Sequence, residues 1–155
     1  MITIRKARRE DAQAAWDIRN AAIKSQCVGY YSSEALAIWT AGEISEQFMT
    51  VVEHHFYVAT IADRIVGTGM VNLESGQVDA IFVHPSHMGM GVGKKLLAHL
   101  ESLARSVGLT QLHLESTLNA APFYRACGFL GERVAQYQSP RGLSLDCIPM
   151  NKSLR

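Results

Sequence analysis

Three glycines alternate in the segment MGMGVGKKL, at positions 89, 91 and 93. The segment follows an apolar run that ends at Val83, and the residues HPSH lie between them. The residues after the glycines have helical periodicity, so the glycines connect the end of a strand to the start of a helix. Glycine lets a ligand approach the backbone closely, and the free amides of a first helical turn carry about half a positive charge. The segment therefore predicts a binding site for a phosphate or pyrophosphate.

Two lysines, Lys94 and Lys95, stand in the first turn of this predicted helix. A cation there opposes the helix dipole and costs roughly 0.3–1 kcal/mol unless an anion lies nearby. The alternative for each lysine is that its side chain extends into water and binds no ligand. The glycine spacing is GxGxG, which matches neither the GxxxxGK[ST] P-loop of nucleoside triphosphatases nor the GxGxxG dinucleotide-binding fingerprint. The predicted anion is thus a phosphate of another kind of ligand.

A second segment, NAAPFYRACGF, places Asn119 at the end of a predicted strand and Tyr124 on a short helix. A tyrosine hydroxyl has an unperturbed pKa of about 10 and a thiol one of about 8.5, so Tyr124 can give a proton to a departing thiolate at modest cost. The alternative is that Tyr124 packs in the core as a half-buried side chain.

Together these segments resemble the GNAT superfamily of N-acetyltransferases, whose acetyl-CoA motif reads Gln or Arg, two residues, Gly, one residue, then Gly or Ala. Here Met88, Gly91 and Gly93 occupy the motif, so Met88 stands where the family usually has Gln or Arg. The resemblance extends over the strand from residue 79, the helix to residue 107, and the stretch LHLESTLNAAPFYRACGF.

The resemblance implies acetyl-CoA as co-substrate and a binding site formed by two splayed strands. It implies that the pantetheine arm bonds to the backbone of Phe82 and Val83, that Asn119 and Tyr124 contact the arm, and that the loop holds the pyrophosphate. The loop residues concerned are Met88, Gly89, Met90, Gly91, Val92, Gly93 and Lys94.

The implied reaction is direct transfer of the acetyl group to a primary amine, with Tyr124 as general acid. The amine must lose a proton, and Asp79 and Glu115 are the candidate bases, with Asp79 ranked first because a carboxylate is unusual in the apolar run VDAIFV. Strand alternation is expected to place Asp79 on the same face as Ile81 and Val83. Cys127 can be imagined as an acyl carrier, but packing explains it better.

Two other functions remain open from the sequence. A non-catalytic acyl-CoA-binding regulatory module on the same fold is compatible with the loss of a polar residue at Met88. A nucleotide-binding regulator of another class would bind ATP or NAD rather than coenzyme A.

The elements that position these residues follow from periodicity. Strands are predicted at 2–5, 55–61, 65–73, 77–83, 112–116, 133–137 and 143–150, and helices at 12–26, around Leu36 to Trp39, at 44–51, 92–107 and 120–126. Asp11 and Ser32 or Ser33 are expected to cap helices, and Gly108 to end the long one. The predicted fold is α/β (α+β): a mixed, mostly antiparallel central sheet with a parallel splayed strand pair and flanking helices.

Composition limits the class of protein. The 155 residues are 48% hydrophobic with a formal net charge of +1, so we expect a single domain over 1–155 and neither a nucleic-acid nor a membrane partner. The three cysteines and six histidines have no spacing typical of disulfide frameworks or metal sites. The expected location is cytoplasmic, and the expected acceptor is a small-molecule or peptide amine. Homodimerisation through the C-terminal hairpin or through exposed strand edges is compatible with the pattern.

Overall fold

Two β-sheets lie next to each other in the computed structural model, which describes all 155 residues. The first has the strand order β1-β2-β3-β4 and is antiparallel throughout, and the second has the order β5-β7-β6 and is also antiparallel. The strands are β1 (Thr3–Lys6), β2 (Phe56–Ile61), β3 (Arg64–Val71), β4 (Val78–Val83), β5 (Gln111–Ser116), β6 (Ala135–Gln138) and β7 (Ser144–Ser153). The helices are α1 (Ala12–Gln26), α2 (Ser33–Trp39), α3 (Glu46–His55), α4 (Val92–Ser106) and α5 (Ala121–Ala126).

The parallel pair β4 and β5 joins the two sheets at one end only. A single parallel bridge links Gln77 to His113, and the His113 amide donates to the Gly76 carbonyl at 3.0 Å. Any Cβ at Gly76 would lie 2.6 Å from the carbonyl oxygen of Gln111, so this close approach requires glycine. Beyond the bridge the two strands share no backbone hydrogen bond and separate. The predicted splayed pair in a mixed α/β fold is confirmed.

Helix α4 packs one apolar stripe against the first sheet. Val92, Leu96, Leu97, Leu100 and Ala104 are all at most 2% exposed, which is the i, i+3, i+4 pattern of an amphipathic helix. The predicted helix over residues 92–107 is one residue too long, because α4 ends at Ser106, and Val107 lies outside the stripe with 54% of its surface exposed.

The N-terminal region differs from the sequence prediction in two respects. Helix α3 extends from Glu46 to His55, whereas the predicted third helix covers residues 44–51. Asp11 precedes α1 as expected, but its carboxylate does not cap that helix. It instead accepts hydrogen bonds from the Arg8 amide and the Arg5 guanidinium, both at 2.8 Å, and so fixes the turn between β1 and α1. Ser32 does cap α2, since its hydroxyl oxygen accepts from the Ala35 amide at 3.1 Å.

No helix has both the length and the apolar character that crossing a membrane requires.

Candidate functional site

Two cavities lie on either side of the gap between β4 and β5, and they share the walls formed by Phe82 and Thr117. The first, of about 460 Å³, is lined by the glycine loop, the start of α4 and α5, and we call it the loop cavity. The second, of about 350 Å³, is lined by α1, α2, α3 and residues of both sheets, and we call it the acceptor cavity. A ligand in the loop cavity can therefore present a group to a ligand in the acceptor cavity at the Phe82–Thr117 junction.

The glycine loop offers an uninterrupted row of hydrogen-bond donors. The backbone amides of residues 89–94 have no acceptor within the chain, and the helical bonds of α4 begin only with the Lys95 amide. Gly89 and Gly91 have φ values of +77° and +83°, a conformation that glycine adopts without steric cost. Six free amides at the positive end of a 15-residue helix can hold the oxygens of a pyrophosphate.

The side chains of the loop contribute unequally to this cavity. Lys94 lines the cavity, whereas Lys95 turns away and donates to the carbonyl oxygen of Ile2 at 2.8 Å. Met88 lines the cavity and is 47% exposed, and Met90 is 55% exposed and does not line it. Every other residue predicted to bind the cofactor lines the loop cavity, namely Phe82, Val83, Gly89, Gly91, Val92, Gly93, Lys94, Asn119 and Tyr124.

Sequence reasoning missed His87 as a residue of this cavity. His87 lies in the short 3-10 turn Pro85–His87, and its Nδ1 is 2.9 Å from the Ser86 hydroxyl, which in turn is 2.7 Å from Nδ1 of His84. The sequence signal for it is a pair of histidines three residues apart, His84 and His87, next to the glycine loop.

Tyr124 is 8% exposed and lies on α5, with its ring in edge-to-face contact with Phe123 and Phe129 at centroid distances of 5.1 and 5.8 Å. Its hydroxyl makes no hydrogen bond within the chain and belongs to the wall of the loop cavity. Burial raises the pKa of Tyr124 well above its usual value, and the negative charge of Asp79 adds to the rise. The hydroxyl therefore keeps its proton at neutral pH and is available as a donor.

Asn119 and two cysteines complete the wall near Tyr124. The Cys27 thiol at the end of α1 donates to Oδ1 of Asn119 at 3.3 Å, which ties α1 to the loop after β5. Burial raises the pKa of Cys127, and it raises that of Cys27 to about 11, so both remain thiols at neutral pH. A protonated thiol is a poor nucleophile, which agrees with packing as the role of Cys127.

Asp79 occupies the acceptor cavity because of an irregularity in β4. Thr68 pairs with Phe82 and Met70 pairs with Asp79, so two residues of β4 oppose one residue of β3, and Ala80 adopts a φ of +56°. This bulge places Asp79 on the side of Phe82, where both line the acceptor cavity.

The expectation that Asp79 shares a face with Ile81 and Val83 is therefore wrong. Ile81 packs on the core beneath α4, against Leu100 among others, and Val83 packs against Val92 and Leu96. Strand alternation holds only where the pairing is regular, and the extra residue at the bulge reverses the sides of all the residues after it.

The two candidate bases lie in the same cavity and differ in their surroundings. Burial raises the pKa of Asp79, and the negative charge of Glu115 contributes in the same direction, while hydrogen bonding from the Gln77 side chain opposes the rise. Both residues keep an exposed surface, and Oε2 of Glu115 accepts from Nε2 of Gln77 at 2.8 Å. A carboxylate with a pKa shifted towards neutrality is the better proton acceptor near neutral pH, which favours Asp79.

Aromatic side chains form much of the remaining wall of the acceptor cavity. Three aromatic residues of the N-terminal region, Tyr31, Trp39 and Phe48, line the cavity, whereas Tyr30 is 56% exposed and does not. The Tyr31 hydroxyl donates to the Asp146 carbonyl at 2.5 Å and accepts from the Leu118 amide at 3.1 Å. It therefore fixes the loop after β5 against β7.

The C-terminal hairpin also contributes to this cavity, which the sequence analysis did not predict. Tyr137 on β6 and Leu145, Asp146 and Cys147 on β7 line it. Their contribution depends on the pairing of β7 with β5. These strands are far apart in the sequence, and no local pattern reveals their pairing. Arg19 on α1 was missed for a related reason, because its position in the sequence is typical of an exposed helical residue.

Comparison with known proteins agrees with this geometry. The acetyltransferase (GNAT) domain family matches residues 52–130, which is half of the chain. The peptidyl-lysine N-acetyltransferase YjaB of Salmonella typhimurium is 30% identical over 132 residues, or 83% of each chain. Two further curated relatives match over shorter parts, and the matched part of this chain spans 63% and 51% of their lengths.

Solved structures show the same fold over nearly the whole chain. A GCN5-related N-acetyltransferase from Rhodopseudomonas palustris superimposes with a TM-score of 0.89 and 26% identity, covering 97% of this chain and 94% of that one. The PaiA N-acetyltransferase from Thermoplasma acidophilum, solved in complex with coenzyme A, has a TM-score of 0.79 and 20% identity, with 99% of both chains covered.

Proposed function

This chain belongs to the GNAT family of acetyltransferases, and from that premise we propose that it transfers the acetyl group of acetyl-CoA directly to a primary amine. The observation that carries the proposal is the meeting of the two cavities at Phe82 and Thr117. One cavity has the donors for a pyrophosphate, and the other has carboxylates suited to an amine.

The residues of the loop cavity fit a coenzyme A thioester. The free amides of residues 89–94 and the Lys94 ammonium bind the phosphates, and the space between β4 and β5 admits an extended arm that bonds to the backbone at Phe82 and Val83. Acetyl-CoA supplies the activated acyl group. A backbone amide near Phe82 stabilises the charge that develops on the thioester carbonyl oxygen.

Asp79 removes the proton of the incoming ammonium in this proposal, and Glu115 is the second candidate. The amine is reactive only in its neutral form, so a carboxylate within reach, directly or through one water, is required. The raised pKa of Asp79 supports this role because the proton is then transferred with a smaller free-energy cost.

Tyr124 donates its proton, or a hydrogen bond, to the sulfur as coenzyme A leaves. Its hydroxyl borders the loop cavity, carries no other hydrogen bond and stays protonated at neutral pH. Cys127 has no covalent role in the reaction, so the amine attacks the thioester directly.

A non-catalytic acyl-CoA-binding module is the second candidate function, and one observation favours it. Met88 borders the cavity where a polar side chain would add a contact to the pyrophosphate, and a thioether supplies none. This alternative predicts coenzyme A binding without turnover, whatever amine is offered.

Titration calorimetry with acetyl-CoA, with ATP and NAD as controls, tests the cofactor. A primary-amine panel then tests turnover by release of free thiol. We expect acetyl-CoA to bind and ATP and NAD to show no heat of binding. We also expect thiol release that depends on the amine and that Tyr124→Phe reduces. Tyr30→Phe is the matched control, because Tyr30 is exposed and lies outside both cavities. Binding without amine-dependent release would favour the non-catalytic module, and absence of acetyl-CoA binding would refute both functions.

A further inference from the structure

Arg19 lines the acceptor cavity and holds a fixed position there. Its guanidinium carbon lies 4.7 Å from the centroid of the Trp16 ring, and its Nη1 donates to Oδ1 of Asn20 at 2.6 Å and to the Trp39 carbonyl at 3.1 Å. Both acceptors are neutral. A guanidinium carries five N–H donors, and those on Nε and Nη2 make no hydrogen bond within the chain.

The positive charge of Arg19 has no carboxylate partner. The ion pairs of the chain involve Arg5, Arg9, Arg105 and Lys152, and none involves Arg19. A second unpaired cation adds to the charge, because Arg141 stacks on the same Trp16 ring at 5.6 Å and donates only to the Ile38 carbonyl, at 3.4 Å.

Two guanidinium groups around one aromatic ring favour a bound anion. Burial and the nearby charge of Arg141 lower the pKa of Arg19 to about 10, so the folded protein holds this cation at a cost that an anion would relieve.

Three carboxylates line the same cavity, those of Asp79, Glu115 and Asp146, and none of them forms an ion pair with Arg19. Asp79 and Glu115 lie on the neighbouring strands β4 and β5, whereas Arg19 lies on α1. Tyr137 lies within electrostatic reach of both kinds of charge: burial and the charges of Asp79 and Glu115 raise its pKa, whereas the charge of Arg19 acts in the opposite direction.

We infer that the acceptor is a primary amine that also carries a carboxylate, and that Arg19 binds this carboxylate while the amine lies beside Asp79 and Glu115. The inference rests on the proposed function and names the substrate class of the same site. The aromatic side chains that also line the cavity, Tyr31, Trp39, Phe48 and Tyr137, contact the apolar body that separates amine from carboxylate. Arginine suits this role because its planar group binds a carboxylate through two parallel hydrogen bonds.

The test measures acceptor binding in the presence of saturating coenzyme A, so that no turnover is needed. The probes are ε-aminocaproate and γ-aminobutyrate, with hexylamine and butylamine as carboxylate-free counterparts and hexamethylenediamine as a dication. Calorimetry on the wild type is expected to show about 10- to 100-fold tighter binding of at least one carboxylate probe than of its counterpart, which is the usual range for a charge-assisted hydrogen bond.

Three variants assign this preference to Arg19. Arg19→Gln is expected to abolish it, Arg19→Lys to retain part of it because the charge remains, and Arg133→Gln to leave it unchanged because Arg133 is exposed and outside the cavity. Thermal unfolding checks that each variant folds, and Arg19→Lys keeps the comparison decisive should Arg19→Gln not fold.

Several results would overturn the inference: equal or tighter binding of the alkylamines or the diamine, a preference that survives Arg19→Gln, or no measurable binding of any probe. Failure of the proposed function has a different signature, since it appears as absence of acetyl-CoA binding or of amine-dependent thiol release.

Discussion

Gly91→Ala tests the glycine loop most directly, because the chain provides a matched control at the other end of the same helix. Gly91 has a φ of +83° and Gly108 has a φ of +85°. A Cβ at either position would meet no atom within 4 Å. The two substitutions therefore impose the same backbone strain without a clash, and only Gly91 lies in the loop cavity.

The expected loss of stability is similar for both variants. An L-residue in the left-handed conformation costs roughly 1–2 kcal/mol. In a protein of this size, 1 kcal/mol shifts the melting temperature by about 2–4 °C, so each variant should melt about 2–8 °C below the wild type.

The expected effect on cofactor affinity differs between them. A Cβ at residue 91 projects from the row of amides that would face the pyrophosphate, and it displaces one or two charge-assisted hydrogen bonds of about 1.5–3 kcal/mol each. Loss of one such bond weakens acetyl-CoA binding by about 10- to 100-fold. Gly108→Ala should change the affinity by less than about twofold, because it perturbs only the end of α4.

Calorimetric titration of acetyl-CoA into both folded variants, with melting curves recorded alongside, provides the measurement. Equal affinity in Gly91→Ala and Gly108→Ala would refute the reasoning, because it would mean that the amides of the loop do not contact the ligand. A loss of affinity in both would point to a general effect of destabilisation instead.

Three further predictions concern titratable groups. Tyr124→Phe should lower kcat about 100-fold or more with little change in acetyl-CoA affinity, as stopped-flow thiol release and calorimetry would show; an unchanged kcat would exclude the acid role. Asp79→Asn should abolish the fall in rate as the pH drops through the raised pKa of Asp79. Urea denaturation at neutral pH should show a more stable protein, because the surroundings of Asp79 in the folded state disfavour its charged form. The stability difference should vanish below the unfolded pKa of about 3.9. For Asp11, burial alone would raise the pKa, but the hydrogen bonds from the Arg5 guanidinium and from a backbone amide outweigh it and lower the pKa. Asp11→Asn should therefore lower the free energy of unfolding by about 1–3 kcal/mol above the unfolded pKa, and this loss should disappear in acid as the wild-type carboxylate protonates. A loss of stability that does not depend on pH would contradict this ion pair.

Several features of the site could be predicted because they depend on neighbours in the sequence. The strand, glycine loop and helix from residue 79 to residue 107 follow from periodicity and glycine spacing, and the structure places Gly89, Gly91 and Lys94 in one cavity. The cap at Ser32 and the end of α4 before Gly108 have the same local origin, since each is decided within one helical turn.

Other features depended on pairings that the sequence does not display. The face on which Asp79 lies was predicted wrongly because a bulge at Ala80 shifts the register against β3. The position of Lys95 was undecided until the fold brought the Ile2 carbonyl within 2.8 Å of its ammonium group.

By itself the sequence determined the family, the order of the elements and the anion-binding loop, because hydrophobic periodicity and glycine conformation act over a few residues. Only the tertiary structure decided the shape and charge of the acceptor cavity. Arg19, Asp79 and Tyr137 come from three elements far apart in the chain, and they meet there because α1, the bulged strand β4 and the C-terminal hairpin pack around the same gap. The choice of acceptor is therefore a property of long-range packing, whereas the choice of cofactor follows from local backbone geometry.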